Sequence, residues 1–182
     1  MTILIGKTAS GKDSILNRLV NEYGYIKATT FTTRPMREGE IQGVTYHFIS
    51  DEEFDAKVKD GFFAEYKTYE TEFGVWKYGS SKDSYINSNN KTIIILTPDG
   101  YRDILETLDE KPTAIYIYAN NQTIKERLKK RGDNKEEAER RLLHDNEDFK
   151  GVENIVDKIV YNNKSNNIDD VVNTIMKYLE DR

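Results

Sequence analysis

Seven residues near the start of the chain, Gly6-Lys7-Thr8-Ala9-Ser10-Gly11-Lys12, are spaced to hold an anion. A glycine at each end of the turn lets the backbone curl until successive N–H groups face one point. A helix starting there adds its dipole. Lys12 supplies a point charge that can follow a phosphoryl group as it moves. Gly6, Ala9, Ser10, Gly11, Lys12, Asp13 and Ser14 are therefore the candidate contacts to the phosphates of a nucleotide. The plain alternative is a glycine-rich turn with an exposed lysine. One position departs from the phosphate-loop pattern. After Lys12 a Ser or Thr hydroxyl is expected to ligate magnesium, and Asp13 stands there instead. A carboxylate can hold the ion through a water, Ser14 can add a phosphate contact, or activity is lost; the residues leave the three open.

A second cluster runs from Thr30 through Thr32-Thr33-Arg34-Pro35-Met36-Arg37-Glu38-Gly39-Glu40 to Gly43 and Tyr46-His47-Phe48. Arg34 and Arg37, three apart and beside hydroxyls, can grip one phosphate from two sides. A guanidinium fork suits a phosphate monoester better than an ammonium does. Alone, the cluster reads equally well as a basic surface turn.

Together with the phosphate loop, it closely resembles the guanylate kinase signature T-[ST]-R-x-x-[KR]-x-x-[DE]-x-x-G-x-x-Y-x-[FY]. Thr32, Thr33, Arg34, Arg37, Glu40, Gly43, Tyr46 and Phe48 lie on it without a gap. The resemblance extends through Glu65, Tyr78-Gly79-Ser80, Arg127-Leu128, Arg131-Gly132 and Arg141-Leu142, so it covers most of the chain. The loop also resembles a divergent bacterial branch of that family carrying G-K-x-A-S-G-K-D. The resemblance implies phosphoryl transfer from ATP, with Mg2+, to GMP or dGMP. It implies that Arg34, Arg37, Tyr46 and Tyr78 bind the GMP phosphate while Thr30, Glu65 and Ser80 read the guanine. A carboxylate such as Glu65 can accept from both N1–H and the exocyclic amine of guanine, and adenine offers no N1–H. Arg131 and Arg141, on a closing lid, would stabilise charge on the transferring group together with Lys12. Arg127, Arg140 and Lys129 are expected to be exposed members of ion pairs worth little.

Two stretches depart from that family. Its strand after the monophosphate subdomain ends in D-x-D, whereas here the residues are Ile95-Leu96-Thr97-Pro98-Asp99, with Thr97 in place of one acid. Thr97 is kept among the GMP contacts, and Asp13 as the one candidate metal ligand. The stretch from Tyr69 to Lys77 reads as an unusually long loop, in which Trp76 either flanks the base or packs. Two other readings stay open: a monophosphate kinase of altered base preference, and a non-catalytic guanylate-kinase-like binding module.

These residues need a scaffold. Residues 2–5 form an apolar run too short for a helix, which fits a buried parallel strand. Ile15, Leu16, Leu19 and Val20 recur at helical spacing, predicting a helix from about Lys12 to Tyr23. Further strands are expected at 92–96, 114–118 and 158–161, with helices near 99–108, 121–131 and 168–180. That alternation points to an α/β, three-layer phosphate-loop fold with a parallel sheet core. Its core is expected at about 1–29, 88–126 and 151–182, a monophosphate-binding subdomain at about 30–87, and a helical lid at about 127–150.

Composition narrows the partners. The 182 residues suit one domain, and 37% hydrophobic content allows a modest core. A net charge of −5 disfavours general nucleic-acid binding. Without cysteine there is no disulfide, thiolate nucleophile or cysteine-bound zinc, and His47 and His144 lie too far apart in sequence to suggest a metal pair. The opening apolar run falls far short of the roughly 20 residues of a membrane span. The expectation is a cytoplasmic monomer or homodimer with small-molecule substrates, no membrane and no nucleic acid.

Overall fold

The computed structural model describes residues 1–71, 74–106, 108 and 110–182. The chain opens with β1 (Thr2–Ile5), α1 (Lys12–Tyr23), β2 (Ile26–Lys27), β3 (Phe31–Thr32), β4 (His47–Phe48) and α2 (Asp51–Lys59). It continues with β5 (Phe63–Thr71), β6 (Gly74–Ser81), α3 (Asp83–Ile86), β7 (Thr92–Leu96) and α4 (Pro98–Leu105). The last elements are β8 (Thr113–Tyr118), α5 (Asn121–Arg131), α6 (Lys135–Asp148), β9 (Lys158–Tyr161) and α7 (Ile168–Glu180).

Five strands form a parallel sheet in the order β2-β7-β1-β8-β9. β1 is central, with Leu4 opposite Ile95 on one side and Ile115 on the other. Both faces are covered, which explains why the strand is apolar throughout rather than alternating. Leu4, Ile93, Ile115 and Ile117 pack against Ile15 and Leu19 of α1 and Val172 and Ile175 of α7. Ile3, Ile5, Ile94 and Tyr116 point the other way, against Tyr101 and Ile104 of α4 and the segment around Phe149 and Val152. Each such side chain stabilises the fold by about 1.5–3 kcal/mol relative to leaving it in water. The result is the expected three-layer α/β architecture.

All five strands point the same way, so their carboxyl ends share one edge. Gly6 follows β1 there, Thr97 follows β7, Ala119 follows β8 and Asn162 follows β9. Ligand sites of open α/β sheets lie along such an edge.

A second sheet, β4-β3-β6-β5, branches from the first between β2 and β7. β3 pairs parallel with β4 and antiparallel with β6, and β6 pairs antiparallel with β5. α2 closes one face: fully buried Phe54 stacks on Phe63 with centroids 4.5 Å apart. Ser50 caps that helix by accepting the Glu53 N–H at 3.1 Å, with three acids in its first turn and two lysines in its last. The described residues of the stretch from Tyr69 to Lys77, expected as a long loop, are instead strand residues of β5 and β6. Tyr69 pairs with Trp76, Glu70 with Val75 and Thr71 with Gly74. Its remaining members, Glu72 and Phe73, lie outside the described residues. The outer halves of both strands are largely exposed and rich in polar residues, which hides the strand pattern.

α5 and α6 are capped by Asn120 and Asn134, and Gly132, at φ 85°, lets the chain reverse between them. Among the described residues no helix is long and apolar enough to cross a membrane.

Candidate active site

The turn from Gly6 to Lys12 is closed by the Ser10 N–H donating to the Lys7 carbonyl at 3.1 Å. Ala9 is the one described non-glycine residue with positive φ, at 52°. Gly11 follows at φ 93° and starts α1 with no side-chain cap, so the first N–H groups of the helix are left for an anion. Two glycines are sterically required. A Cβ on Gly6 would lie 2.5 Å from Ser10 Oγ, and one on Gly11 would lie 2.4 Å from Asn162 Nδ2.

The loop is held from outside through its carbonyls. Arg127 Nη1 donates to the Ala9 and Ser10 carbonyls, each at 3.1 Å, and Nη2 donates to the Asn162 carbonyl at 3.0 Å. Asn162 Nδ2 donates to the Ser10 carbonyl at 2.8 Å. With these carbonyls engaged from outside, and the Ser10 and Thr8 N–H groups on Lys7 and Asp145, the N–H groups at the start of α1 stay available to an anion. Arg127 is therefore no exposed ion-pair member: it is half-buried on main-chain acceptors, and desolvation lowers its pKa. On the opposite side the Thr8 N–H donates to Asp145 Oδ2 and Lys7 Nζ to Asn146 Oδ1, both at 2.6 Å. Lys12 Nζ lies 3.3 Å from the Lys7 carbonyl and 3.8 Å from Asp13 Oδ2. The Asp13 side chain is 77% exposed, and Ser14 is exposed beside it. Asp13 carries its charge toward Lys27 and Tyr46 on one side and Arg131 on the other.

Arg34 and Arg37 differ sharply. Arg34 is buried, and its fork is closed on Glu40 at 2.7 and 2.5 Å while it stacks over Tyr46 and Phe48. That pairing holds the Glu40 carboxyl at about 2. Arg37 is exposed, and only its backbone N–H meets Glu40, at 2.7 Å. Tyr46 sits 6.0 Å from Tyr78, and Tyr78 sits 5.7 Å from Tyr69, centroid to centroid. Burial pushes the Tyr46 hydroxyl up to about 12.

A chain of buried groups runs from the second sheet to α3 and α4. Glu65 Oε1 accepts from Ser80 Oγ at 2.6 Å, and Ser80 Oγ lies 2.6 Å from Tyr85 Oη. The other oxygen, Glu65 Oε2, comes within 3.0 Å of where a Cβ would sit on Gly100, so the absent side chain makes room for the carboxylate. Burial raises the pKa of Glu65. Thr97 caps α4 by accepting the Gly100 N–H at 3.1 Å, and the Tyr69 hydroxyl hydrogen-bonds to it. Tyr69 and Thr97 also line a cleft of about 220 Å³ with Lys67, Asp99, His144 and Asp148. Thr30 stands just before β3, its carbonyl accepting the His47 N–H at 2.8 Å.

On α5 and α6 the arginines are paired. Arg131 Nε meets Asp133 Oδ1 at 2.5 Å, and Arg141 Nε meets Glu137 Oε1 at 2.6 Å. Arg140 Nε takes the other Glu137 oxygen at 2.7 Å. The Arg131 hydrogen bonds, aided by the charges of Arg141 and Arg37, lower the pKa of Asp133. Sequence reasoning missed Tyr69, Tyr85, Asp133, Asp145 and Asn162; only the position of Glu40 within the signature hinted at its pairing. Among the described residues no group of three or more acids, histidines or cysteines could hold a metal ion alone.

A family model described as guanylate kinase matches residues 1–182. The chain belongs to the guanylate kinase family. A guanylate kinase of Wolinella succinogenes is 35% identical over 149 residues, covering 78% of this chain and 67% of that protein. One of Helicobacter pylori is 30% identical over 191 aligned positions, covering 100% of this chain and 88% of the relative. The crystal structure of guanylate kinase from Anaplasma phagocytophilum superposes with a TM-score of 0.71 at 21% identity, over 99% of this chain and 84% of that one. That likeness shows the fold. As a member of the guanylate kinase family, the chain is a phosphotransferase of the nucleoside monophosphate kinase class.

Proposed function

We propose that the chain transfers the terminal phosphoryl group of ATP to GMP, and to dGMP, giving the diphosphate. The observation that carries the reading is the Glu65 carboxylate, buried, bonded to Ser80 at 2.6 Å and set against Gly100 on the same sheet edge as the phosphate loop. A carboxylate so held is suited to the N1–H and exocyclic amine of guanine, with the Ser80 and Thr30 hydroxyls completing the edge. Adenine would leave it poorly paired, a loss of about 1.5–3 kcal/mol per charged hydrogen bond.

In this reading the parallel sheet and its helices, about 1–29, 88–126 and 151–182, bind ATP, residues of about 30–87 bind GMP, and about 127–150 form the lid. The N–H groups from Ala9 to Ser14 and the Lys12 ammonium take the ATP phosphates. Arg37, with Tyr46 and Tyr78, takes the GMP phosphate. Arg34, whose fork is already on Glu40, contributes its charge and holds the Tyr46 ring in place. Arg131 exchanges Asp133 for the transferring group when both substrates are bound, while Arg141, held by Glu137 through Nε, offers its terminal nitrogens. Orientation and charge neutralisation then account for the acceleration, with no covalent enzyme intermediate.

Guanylate kinases use ATP with a divalent metal. Magnesium keeps several waters and needs one or two carboxylates besides substrate phosphates, so exposed Asp13 at the start of α1 is a sufficient protein partner. Bound there, the ion supplies charge neutralisation of the phosphates. A cytoplasmic setting goes with these substrates.

ADP formation with GMP, dGMP, AMP, CMP and UMP offered separately tests the reading. GMP and dGMP should give the fastest release. If no monophosphate raises the rate above the ATP-only background, the kinase reading fails. If AMP or a pyrimidine wins, the roles of Thr30, Glu65, Ser80 and Thr97 fall while that of the phosphate loop stands.

A further inference from the structure

The two halves of α6 are held differently. Its last turns are docked on the core: Leu142 packs with Ile124, Leu128 and Ala9, and Phe149, just beyond the helix, is buried 5.6 Å from the Tyr116 ring. Two polar ties go directly to the phosphate loop, Thr8 N–H to Asp145 Oδ2 and Lys7 Nζ to Asn146 Oδ1, each at 2.6 Å. The first turns have only Ala138 against that cluster and carry the ion pairs of buried Glu137 with Arg140 and Arg141.

Glu137, Arg141 and Asp145 follow one another at a spacing of four, so they lie along one face of the helix. Glu137 takes Arg141 at Nε, a bond that does not consume the two terminal nitrogens suited to a phosphate. Asp145 fixes the same face, one turn further on, to the loop that cradles the nucleotide. We propose that Asp145 is a positioning residue: by docking α6 on the Thr8 N–H it aims Arg141 at the transferring phosphoryl group. The proposal rests on the kinase reading and on Arg141 touching the reacting phosphate.

This carboxylate lies near Lys7, Lys12 and Asp148 as well as the Thr8 N–H, and the ligand phosphates will be close by. A carboxylate beside phosphates is costly unless it holds something in place. Positioning also explains why the Thr8 N–H, at the mouth of the loop, is engaged by a side chain of the chain itself.

The test is a double-mutant cycle read as kcat and KM with GMP and ATP. Asp145→Ala should lower kcat by about tenfold or more, because a displacement of about 1 Å at a reacting group can cost up to about 100-fold. KM for GMP should change little. In an Arg141→Ala background the same substitution should cost less than about threefold, since there is nothing left to aim. Asp145→Asn, whose amide oxygen still accepts from Thr8, should recover most of the lost turnover. Asp145→Ser, too short to reach the N–H, enters the same cycle if the alanine variant does not fold.

Equal losses in both backgrounds would overturn the proposal, as would Asp145→Asn being as damaged as Asp145→Ala. A rise in kcat or a tighter ATP KM on Asp145→Ala would overturn it too, because the carboxylate would then be an obstruction. An Arg141→Ala enzyme as active as its parent overturns it while leaving GMP phosphorylation by the unaltered chain untouched, so the two failures are told apart.

Discussion

The phosphate loop and the acceptor pocket are held by different kinds of partner. Around the loop, side chains grip main-chain atoms: Arg127 and Asn162 take carbonyls, and Asp145 takes an N–H. Around the pocket the buried contacts are mainly between side chains, as in Glu65 with Ser80 and Arg34 with Glu40, although Thr97 and Glu40 also accept from main-chain N–H groups. A backbone cradle presents the same N–H groups whatever its side chains are, so it binds phosphate without regard to the base. A relay of buried side chains is specific, and it is also fragile, because removing one member strands another.

Arg34→Ala should show that fragility at its largest. It leaves the Glu40 carboxylate, 16% exposed, without its partner, a loss of about 3–5 kcal/mol in chemical denaturation. Arg37→Ala, at an exposed position, should leave stability unchanged and raise KM for GMP. If Arg34→Ala is as stable as the parent, the pair is no structural clamp. Lys12→Ala should act in the opposite way, lowering kcat by about 100- to 1000-fold for every acceptor while the melting temperature holds. A base-dependent loss there would contradict the division between loop and pocket.

Acid should separate the regions as well. Arginine pairing holds Glu40 and Glu137 at about 2, against an ordinary 4.5. A carboxyl so lowered contributes stability that is present above about pH 4.5 and lost as the pH falls toward 2. Glu40→Gln should flatten the acid limb of a denaturation profile; an unchanged limb would remove Glu40 from this role. Glu65, raised by burial, has the opposite sign, and what it contributes is lost as the pH rises through its folded value. The smallest effect expected is that of Glu65→Gln on selectivity, a narrowing of the GMP-to-AMP ratio in kcat/KM by about 10- to 150-fold. An unchanged ratio would take Glu65 out of base recognition.

The same contrast explains which features are legible in the sequence. The strands at 2–5 and 92–96 stood out because a parallel strand covered on both faces is apolar along its whole length. The phosphate loop stood out because its chemistry is written in glycines, whose spacing is visible. Arg127 did not, since a sequence cannot distinguish an arginine aimed at carbonyls from one aimed at a neighbouring glutamate. Asp145 was hidden in a run of acids, where only the third dimension brings it to Thr8, 137 residues away. The hairpin of β5 and β6 was masked because its half-exposed strands carry too many polar residues to look like a sheet.

Trp76 is the chain's single tryptophan, and it stands on β6 opposite Tyr69, on the ribbon that also carries Tyr78 and Ser80. Its emission is therefore a private optical signal from one side of the molecule. If GMP binds beside Tyr78 as proposed, it should perturb that emission, whereas a nucleotide on the loop after β1 should perturb it less. The order in which the two ligands enter becomes something a fluorimeter can follow on the unlabelled protein.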